Sequence, residues 1–285
     1  MLVSTYLSDW LALRSGGLRP RTVDSYSSLI RLHICPSLGH LDCSELSPDL
    51  IRSHLASIAA TGHTRTSELV YVLLSAALVD LPSRPMIGVQ RPSHIQHTPD
   101  AWSDGQIAVY VAALPDHPHG VALGLAILCG LRRGEVCGLR WCDVDMADRM
   151  LYIRNQRYRL DSGQIVDGPP KSRSSVRAVP IPDELMVWLR RRRGVAGYVD
   201  PITPNGLDRA HRALTARLSL PPIPLHGLRH SMATACVRHG GDLRSLQSIM
   251  GHGSFAITMD RYTHPDHDML RAAVNLASVA SRARR

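Results

Sequence analysis

Four prolines between positions 82 and 99 divide the chain into two parts. The stretch has neither a helical nor a strand period, and its prolines are Pro82, Pro85, Pro92 and Pro99. Proline lacks a backbone donor and fixes its own φ, so a helix or a central strand cannot run through repeated prolines. A chain of 285 residues is long enough for two hydrophobic cores. We therefore expect a first domain over residues 1–93, a linker to about residue 99, and a second domain over residues 100–285.

Apolar residues recur at helical spacing through most of the first part. Short helices are predicted to begin at Pro20, Pro48 and near Thr64, where a proline or a hydroxyl residue precedes an apolar run. Pro36 and Gly39 are expected to interrupt the helical pattern between the first two of these starts.

The second part is predicted to be mostly helical with one β interruption. Ser103 and Gln106 have the spacing of a capping box. Strands are expected at 151–153 and 176–181, joined by a polar segment. Helices are expected to follow over residues 183–193, 205–218, 226–239, 243–250 and 266–283. The expected fold class is thus mainly α with a small β-hairpin or sheet in the C-terminal domain (α+β).

Charge is distributed unevenly between the two parts. The chain carries 33 basic and 24 acidic residues; residues 1–95 have a net charge of +1 and residues 96–285 a net charge of +8. Of the basic residues, 32 are arginine and one is lysine, at Lys171. A surplus of this size favours a polyanionic partner, most simply nucleic acid, bound mainly by the second part.

Several classes of protein are excluded by composition. The six cysteines are scattered and form no CxxC pair, which argues against a disulfide scaffold and a structural zinc site. No secretory signal is visible, and the longest apolar run, 121–131, is about half as long as a bilayer span requires. The sequence therefore predicts a cytoplasmic protein without a membrane segment.

Residues 130–135 hold the first candidate site residues. Neighbouring helical positions point about 100° apart, so Arg132 and Arg133 are not expected to face the same site. Either could equally be a solvated arginine at a helix end. Glu135 follows three positions after Arg132.

Two further segments carry candidate phosphate ligands. Lys171 is expected in a hairpin loop, where a lysine is usually solvated. His226 and Arg229 are three positions apart near a helix start, so they share one face and could reach one phosphate. His230 points elsewhere, and a structural hydrogen bond is its simpler interpretation.

A fourth segment contains Gly251-His252 and, ten residues later, Tyr262. A single tyrosine is more often a packing residue than a nucleophile. His252, His264 and His267 could also be interpreted as a metal site, but carboxylate or thiol partners at ligand spacing are not evident.

Taken together and in this order, the four segments resemble the tyrosine recombinases, the phage integrase and Xer-like family. The family pattern is an arginine in G-L-R-x-x-E, a lysine on a β-hairpin, H-x-x-R, G-H, and a tyrosine near the C-terminus. Here the matching residues are Arg132 with Glu135, Lys171, His226 with Arg229, His252, and Tyr262. The register of the motif selects Arg132 over Arg133.

The resemblance implies covalent catalysis on DNA. Tyr262 would attack a phosphate to give a 3′-phosphotyrosyl intermediate, while Arg132 and Arg229 would bind the non-bridging oxygens. Lys171 would protonate the leaving 5′-oxygen, which arginine cannot do because its pKa exceeds roughly 12.

The remaining motif residues would assist. The resemblance gives His226 a role in proton transfer, His252 a hydrogen bond to the phosphate, and Glu135 the support of Arg132 and the histidines. No metal or other cofactor is implied.

The resemblance also implies an assembly. The first part is similar to the family's core-DNA-binding (SAM-like) domain, so a two-domain, C-shaped clamp on double-stranded DNA with short inverted core sites is expected. The predicted helix 266–283 would join a homo-tetramer on DNA, or pack on its own domain. Accessory DNA-bending or directionality proteins and association with the nucleoid are further expectations.

Two other functions remain open from the sequence. A type IB topoisomerase shares the residue types of the site, and a non-catalytic DNA-binding regulator would also be helical and basic. Within the recombinases, a mobile-element integrase and an Xer-like resolvase are not distinguished.

Overall fold

The structure is a computed structural model, and it describes residues 1–94, 100–170, 173–192, 194 and 196–251. The contacts divide the chain into two compact units. The first comprises residues 1–97 together with 160–164, and the second comprises the rest.

The first unit is built from helices around one core. Its helices are α1 (Val3–Ser15), α2 (Pro20–Leu29), α3 (Cys35–Leu38), α4 (Pro48–Ala60) and α5 (Thr64–Ala77). The predicted starts at Pro20, Pro48 and Thr64 are confirmed. Ser47 caps α4 by accepting a hydrogen bond from the amide of Leu50 at 3.2 Å, which satisfies one of the free donors at the helix start.

The helical pattern continues through Pro36, which corrects that part of the prediction, and it ends at Gly39, the C-cap of α3, as predicted. A π-helical segment, Ile30–Ile34, joins α2 directly to α3. Pro36 lies in the first turn of α3, where its missing donor is tolerated. The buried side chains of Ile30 and Ile34 keep the segment against the core, so tertiary packing outweighs the local signal.

The helices of the second unit surround a buried apolar helix, α7 (Gly120–Leu128). Its remaining helices are α6 (Asp104–Ala112), α8 (Arg133–Gly138), α9 (Asp183–Arg191), α10 (Pro204–Arg217), α11 (Leu225–Arg238) and α12 (Leu243–Met250). Seven residues of α7 besides Gly120 are buried, because α8, α9, α10 and α11 all pack against it. The capping box at the start of α6 is confirmed, with Ser103 and Gln106 in reciprocal hydrogen bonds.

The β interruption contains more strands than predicted. Strands β1 (Val144–Asp145), β2 (Met150–Ile153) and β5 (Arg177–Pro180) form an antiparallel sheet in the order β1-β2-β5. The two predicted strands are confirmed as β2 and β5. The polar segment between them, expected as a connection, itself forms a hairpin of β3 (Gln156–Arg159) and β4 (Ile165–Gly168). Both strands are at most partly buried, and neither has the alternation of apolar and polar residues that marks a strand.

The fold class is mainly α with small antiparallel sheets, as predicted. Within the described residues, no helix has the length and apolarity that a membrane span needs. The predicted helix 266–283, Pro99 and the end of the predicted helix at Arg193 lie outside the described residues.

Candidate functional site

The turn between α7 and α8 presents Arg132. Gly130 has a φ of +62° and closes α7 in a left-handed conformation that favours glycine. A Cβ there would lie 2.2 Å from the Cε of Met232, so this flexible side chain would have to move to make room for it. Arg132 follows as the N-cap of α8, with extended backbone (φ −70°, ψ 153°).

The expectation that Arg132 and Arg133 face different sites is not met. Both line one open cleft, because the 100° rule holds between helical residues and Arg132 precedes the helix. Their partners differ: Arg132 pairs with Glu135, and Arg133 pairs with Asp208 on α10.

Glu135 lies beneath Arg132 and is only 2% exposed. Its carboxylate accepts hydrogen bonds from the backbone amide of Arg132 at 2.8 Å and from its guanidinium at 2.9 Å. Two nitrogens of Arg177 on β5 donate to its two oxygens, each at 2.9 Å. Burial by itself would raise the pKa of Glu135, but the hydrogen bonds and charge of Arg177, together with Arg132, outweigh it and hold this pKa below its usual value. We call Glu135, Arg132 and Arg177 the Glu135 network.

Arg177 is a residue of this network that the sequence did not single out. It was expected only as part of a strand, and an arginine in a strand is usually exposed. Its burial depends on a carboxylate 42 positions earlier in the chain. The one signal that could have found it is its position six residues after Lys171, a motif residue.

The C-terminal end of α12 meets the same network. Gly251 ends α12 with a φ of +57°. Arg132 donates to the Gly251 carbonyl at 3.1 Å, and Arg177 donates to the carbonyl of Ile249. Arg229 donates to the carbonyl of Met250. Three arginines from three segments therefore contact consecutive carbonyls at the end of one helix.

The spacing of His226 and Arg229 predicts that they share one helix face, but the two side chains differ in exposure. His226 is exposed and lines the cleft beside Arg132. Arg229 is 1% exposed, and its guanidinium donates to the carbonyls of Gly130 and Met250. The reason is that α11 packs against both α7 and α12, which buries the first turn of α11 almost completely. His230, also buried, stacks edge-on against His226 with 4.7 Å between ring centroids.

The cleft itself has a volume of about 620 Å³. Its lining is rich in cationic and polar groups and consists of Arg132, Arg133, Gly134, Asp208, Arg212, Pro224 and His226. The Arg132 side chain keeps 34% of its surface exposed here, although Glu135 holds it from behind. The cleft can therefore offer a guanidinium and an imidazole to one anionic group.

A second buried polar network, made of neutral groups, supports the start of α11. The His211 side chain, fully buried on α10, contacts the Ile223 carbonyl with Nε2 and the Tyr110 hydroxyl with Nδ1, both at 2.9 Å. A carbonyl can only accept, so Nε2 carries the proton and Tyr110 donates to Nδ1. The Trp102 ring packs against both rings at a tilt, and its backbone amide donates a hydrogen bond to Ser231 on α11 at 2.9 Å. We call these residues the His211 network.

Three predicted site residues, Lys171, His252 and Tyr262, lie outside the described residues, as do His264 and His267. The structure thus brings together Arg132, Glu135, His226 and Arg229, and it adds Arg177.

Comparison with known proteins identifies the family to which the chain belongs. Residues 112–269 match the phage integrase family, and residues 2–55 match the N-terminal SAM-like domain of phage integrases. A XerC-like tyrosine recombinase of Caldanaerobacter subterraneus is 26% identical over 58% of this chain, which spans half the length of that relative. The tyrosine recombinase XerC of Xylella fastidiosa is 28% identical over 93% of both chains.

The fold has a counterpart among solved structures. The Tn1549 transposon integrase, solved in complex with transposon right end DNA, superposes with a TM-score of 0.81 over 98% of this chain and all of that one, at 20% identity. Since the family match covers more than half of the residues, the chain belongs to the phage integrase family, the family of the tyrosine recombinases.

Proposed function

We propose that the protein is a site-specific DNA recombinase that cleaves and rejoins strands through a 3′-phosphotyrosyl intermediate at Tyr262. One observation supports this best. Arg132 and Arg229, 97 positions apart in sequence, both donate to the end of α12, at Gly251 and Met250. The next residue in the chain is His252, and Tyr262 follows ten positions later.

The two arginines suit a phosphodiester. A planar guanidinium matches two non-bridging oxygens, and its charge stabilises the charge that builds on them in the transition state. Without DNA, Arg229 donates to neutral carbonyls. A phosphate oxygen is a stronger acceptor than a carbonyl, so DNA can take over these hydrogen bonds.

Strand cleavage forms one bond to phosphorus and breaks another. The Tyr262 oxygen bonds to phosphorus while the bond to the 5′-oxygen breaks, so the phosphodiester energy is retained for rejoining. His226, exposed in the cleft, assists removal of the phenol proton. Lys171 gives a proton to the leaving 5′-oxygen, and His252 hydrogen-bonds the phosphate.

The proposal extends to the partner and the assembly. Double-stranded DNA with short inverted core sites is the proposed substrate, bound by a core-DNA-binding domain over residues 1–93 and a catalytic domain over residues 100–285. Because residues 96–285 carry most of the net charge, we expect them to make most phosphate contacts. We further propose that the chain forms a homo-tetramer on DNA through residues 266–283, where the sequence predicts a helix, and that it acts in the nucleoid together with accessory proteins.

The decisive experiment is covalent capture. The full chain is incubated with nicked duplexes whose central segment is randomised, and adducts that survive denaturant are recovered and sequenced. We expect the protein to enrich one short site, and Tyr262→Phe to bind that site without forming an adduct. An adduct formed by Tyr262→Phe would overturn the assignment of the nucleophile.

Two further outcomes separate the alternatives. Relaxation of plasmids that lack the selected site, without recombinants, would favour a topoisomerase, and binding without any adduct would favour a regulator. Lys171→Arg should cleave slowly on an ordinary substrate and recover on one with a 5′-thio leaving group, which needs little protonation.

A further inference from the structure

Arg177 is placed where it can control the site without touching DNA. Its side chain is 6% exposed, and all three guanidinium nitrogens donate to protein acceptors. The two terminal nitrogens bind Glu135, one of them also binds the Ser175 carbonyl at 3.0 Å, and Nε binds the Ile249 carbonyl. Four of its five N–H groups are thus engaged inside the protein, and its burial keeps the group turned away from the solvent that a phosphate would occupy.

Arg177 and Arg132 contact the same two parts of the site, the Glu135 carboxylate and the end of α12. Arg132 pairs with Glu135 and donates to the Gly251 carbonyl, while Arg177 pairs with Glu135 and holds Ile249 two residues earlier. The end of α12 also packs on the Arg177 stem, since a Cβ on Gly251 would lie 3.0 Å from the Arg177 Cδ. Strand β5, the α8 turn and α12 are thereby fixed relative to one another.

Charge gives the arrangement a second consequence. The Glu135 network holds one carboxylate and two guanidinium groups, and so it carries one positive charge beyond neutrality. Arg177, the more deeply buried of the two arginines, meets the carboxylate with both terminal nitrogens. Without Arg177, Arg132 would be the sole counter-charge of Glu135, and its field at a phosphate would be largely cancelled.

We propose that Arg177 is a positioning residue for strand cleavage: through Glu135 and the Ile249 carbonyl, it holds the Arg132 guanidinium and the end of α12 in their working arrangement. The inference rests on the proposed recombinase function, and it adds a residue that does not contact DNA to that site.

The test compares Arg177→Met and Arg177→Lys with wild type on the site selected by covalent capture. The control is Arg149→Met, because Arg149 belongs to the same sheet region but pairs with Asp183 in an exposed ion pair. We expect Arg177→Met to form the Tyr262 adduct about 100-fold more slowly at saturating DNA, as when a preorganised donor is lost. Binding of the site and the rate of Arg149→Met should stay close to wild type.

A substrate with a neutral methylphosphonate at the cleaved position distinguishes a loss of charge from a structural defect, because a structural defect would slow cleavage equally on both substrates. It removes one negative non-bridging oxygen, so less positive charge is needed from Arg132. We therefore expect the deficit of Arg177→Met to shrink to about tenfold or less on this substrate. Lysine keeps the charge but cannot bind both Glu135 oxygens and the Ile249 carbonyl. The rate of adduct formation by Arg177→Lys should therefore lie between the rates of Arg177→Met and wild type.

The outcomes are separable. Wild-type rates in a folded Arg177→Met protein would overturn the inference, and so would an equal deficit on both substrates accompanied by a lowered unfolding midpoint. If Arg177→Met does not fold, the same comparison with Arg177→Lys decides. Absence of any adduct from the wild-type protein would instead refute the proposed function, and the inference with it.

Discussion

Two buried polar networks lie close to the candidate site, and they differ in charge. The Glu135 network joins a carboxylate to Arg132 and Arg177 beside the cleft. The His211 network joins neutral groups, with Tyr110 donating to His211 behind the start of α11. Both connect distant segments, but only the first leaves a guanidinium partly exposed.

The two networks differ in the free energy that their burial costs. Removing a charge from water is expensive, and a neutral network can fix a helix at lower cost. Under the proposed function, a phosphate bound in the cleft gives the charged network a role beyond structural support. We therefore expect that a change in the Glu135 network affects both stability and cleavage, whereas a change in the His211 network affects stability only.

The largest expected effect is that of Glu135→Gln. Glutamine keeps the shape of the side chain but leaves Arg177 buried without a counter-charge. Breaking a buried ion pair in this way typically costs about 3–5 kcal/mol. We expect a decrease of that size in the free energy of unfolding, measured by urea denaturation, together with loss of adduct formation.

Asp183→Asn is the matched control for Glu135→Gln. It also removes one carboxylate from an ion pair with an arginine, Arg149, but that pair is exposed. Exposed pairs contribute little, so stability and cleavage should change little. Equal losses in Glu135→Gln and Asp183→Asn would contradict the distinction between the two kinds of pair.

Tyr110→Phe tests the neutral network and should have a smaller effect. It removes the donor to Nδ1 of His211 and leaves a buried acceptor without that partner, which costs about 1–3 kcal/mol. At equal concentrations of folded protein, we expect adduct formation to match wild type. Tyr152→Phe, a change at a half-buried position on β2, is the control for loss of a hydroxyl. Slower cleavage by folded Tyr110→Phe would show that the neutral network does more than support α11.

Local signals in the sequence predicted much of the fold. Helix starts at Pro20 and Thr64 and the capping box at Ser103 depend on a few neighbouring residues, and they were found. Pro36 was misinterpreted because Ile30 and Ile34 pack against the core of the first unit, and this tertiary packing is not visible in the local sequence. The β3–β4 hairpin was missed because its partly buried strands lack apolar alternation.

The candidate site divides in the same way. Arg132 and Glu135 could be predicted because they belong to one short motif with a known chemistry. Arg177 and His211 could not, because each acquires its role from partners 42 and 101 positions away. An isolated arginine in a strand or histidine in a helix carries no such information. Arg229 adds a contrast, because its spacing from His226 predicted a shared helix face but carried no information about its burial.

The smallest expected effect is on stability at acidic pH, where the two networks lose their contributions in different pH ranges. Burial lowers the pKa of His211, against smaller opposing effects of its hydrogen bond to Ile223 and the charge of Asp208. The unfolded chain therefore takes up a proton near pH 6.5 that the folded chain does not, and stability falls as the pH drops below that value. The pKa of Glu135 is also lowered, but its unfolded value is near 4.3, so its contribution is lost only at more acidic pH.

Urea denaturation between pH 7 and pH 5 separates these contributions. Each histidine kept neutral by burial lowers the free energy of unfolding by at most about 1.4 kcal/mol per pH unit below its unfolded pKa. His54 and His117, whose pKa values burial also lowers, contribute to the same slope. We therefore expect His211→Gln to be less stable at pH 7 but to lose less stability on acidification, while Glu135→Gln keeps the wild-type slope in this range. A wild-type slope in His211→Gln would mean that His211 is not the neutral centre of its network, and the contrast between the charged and the neutral network would then fail.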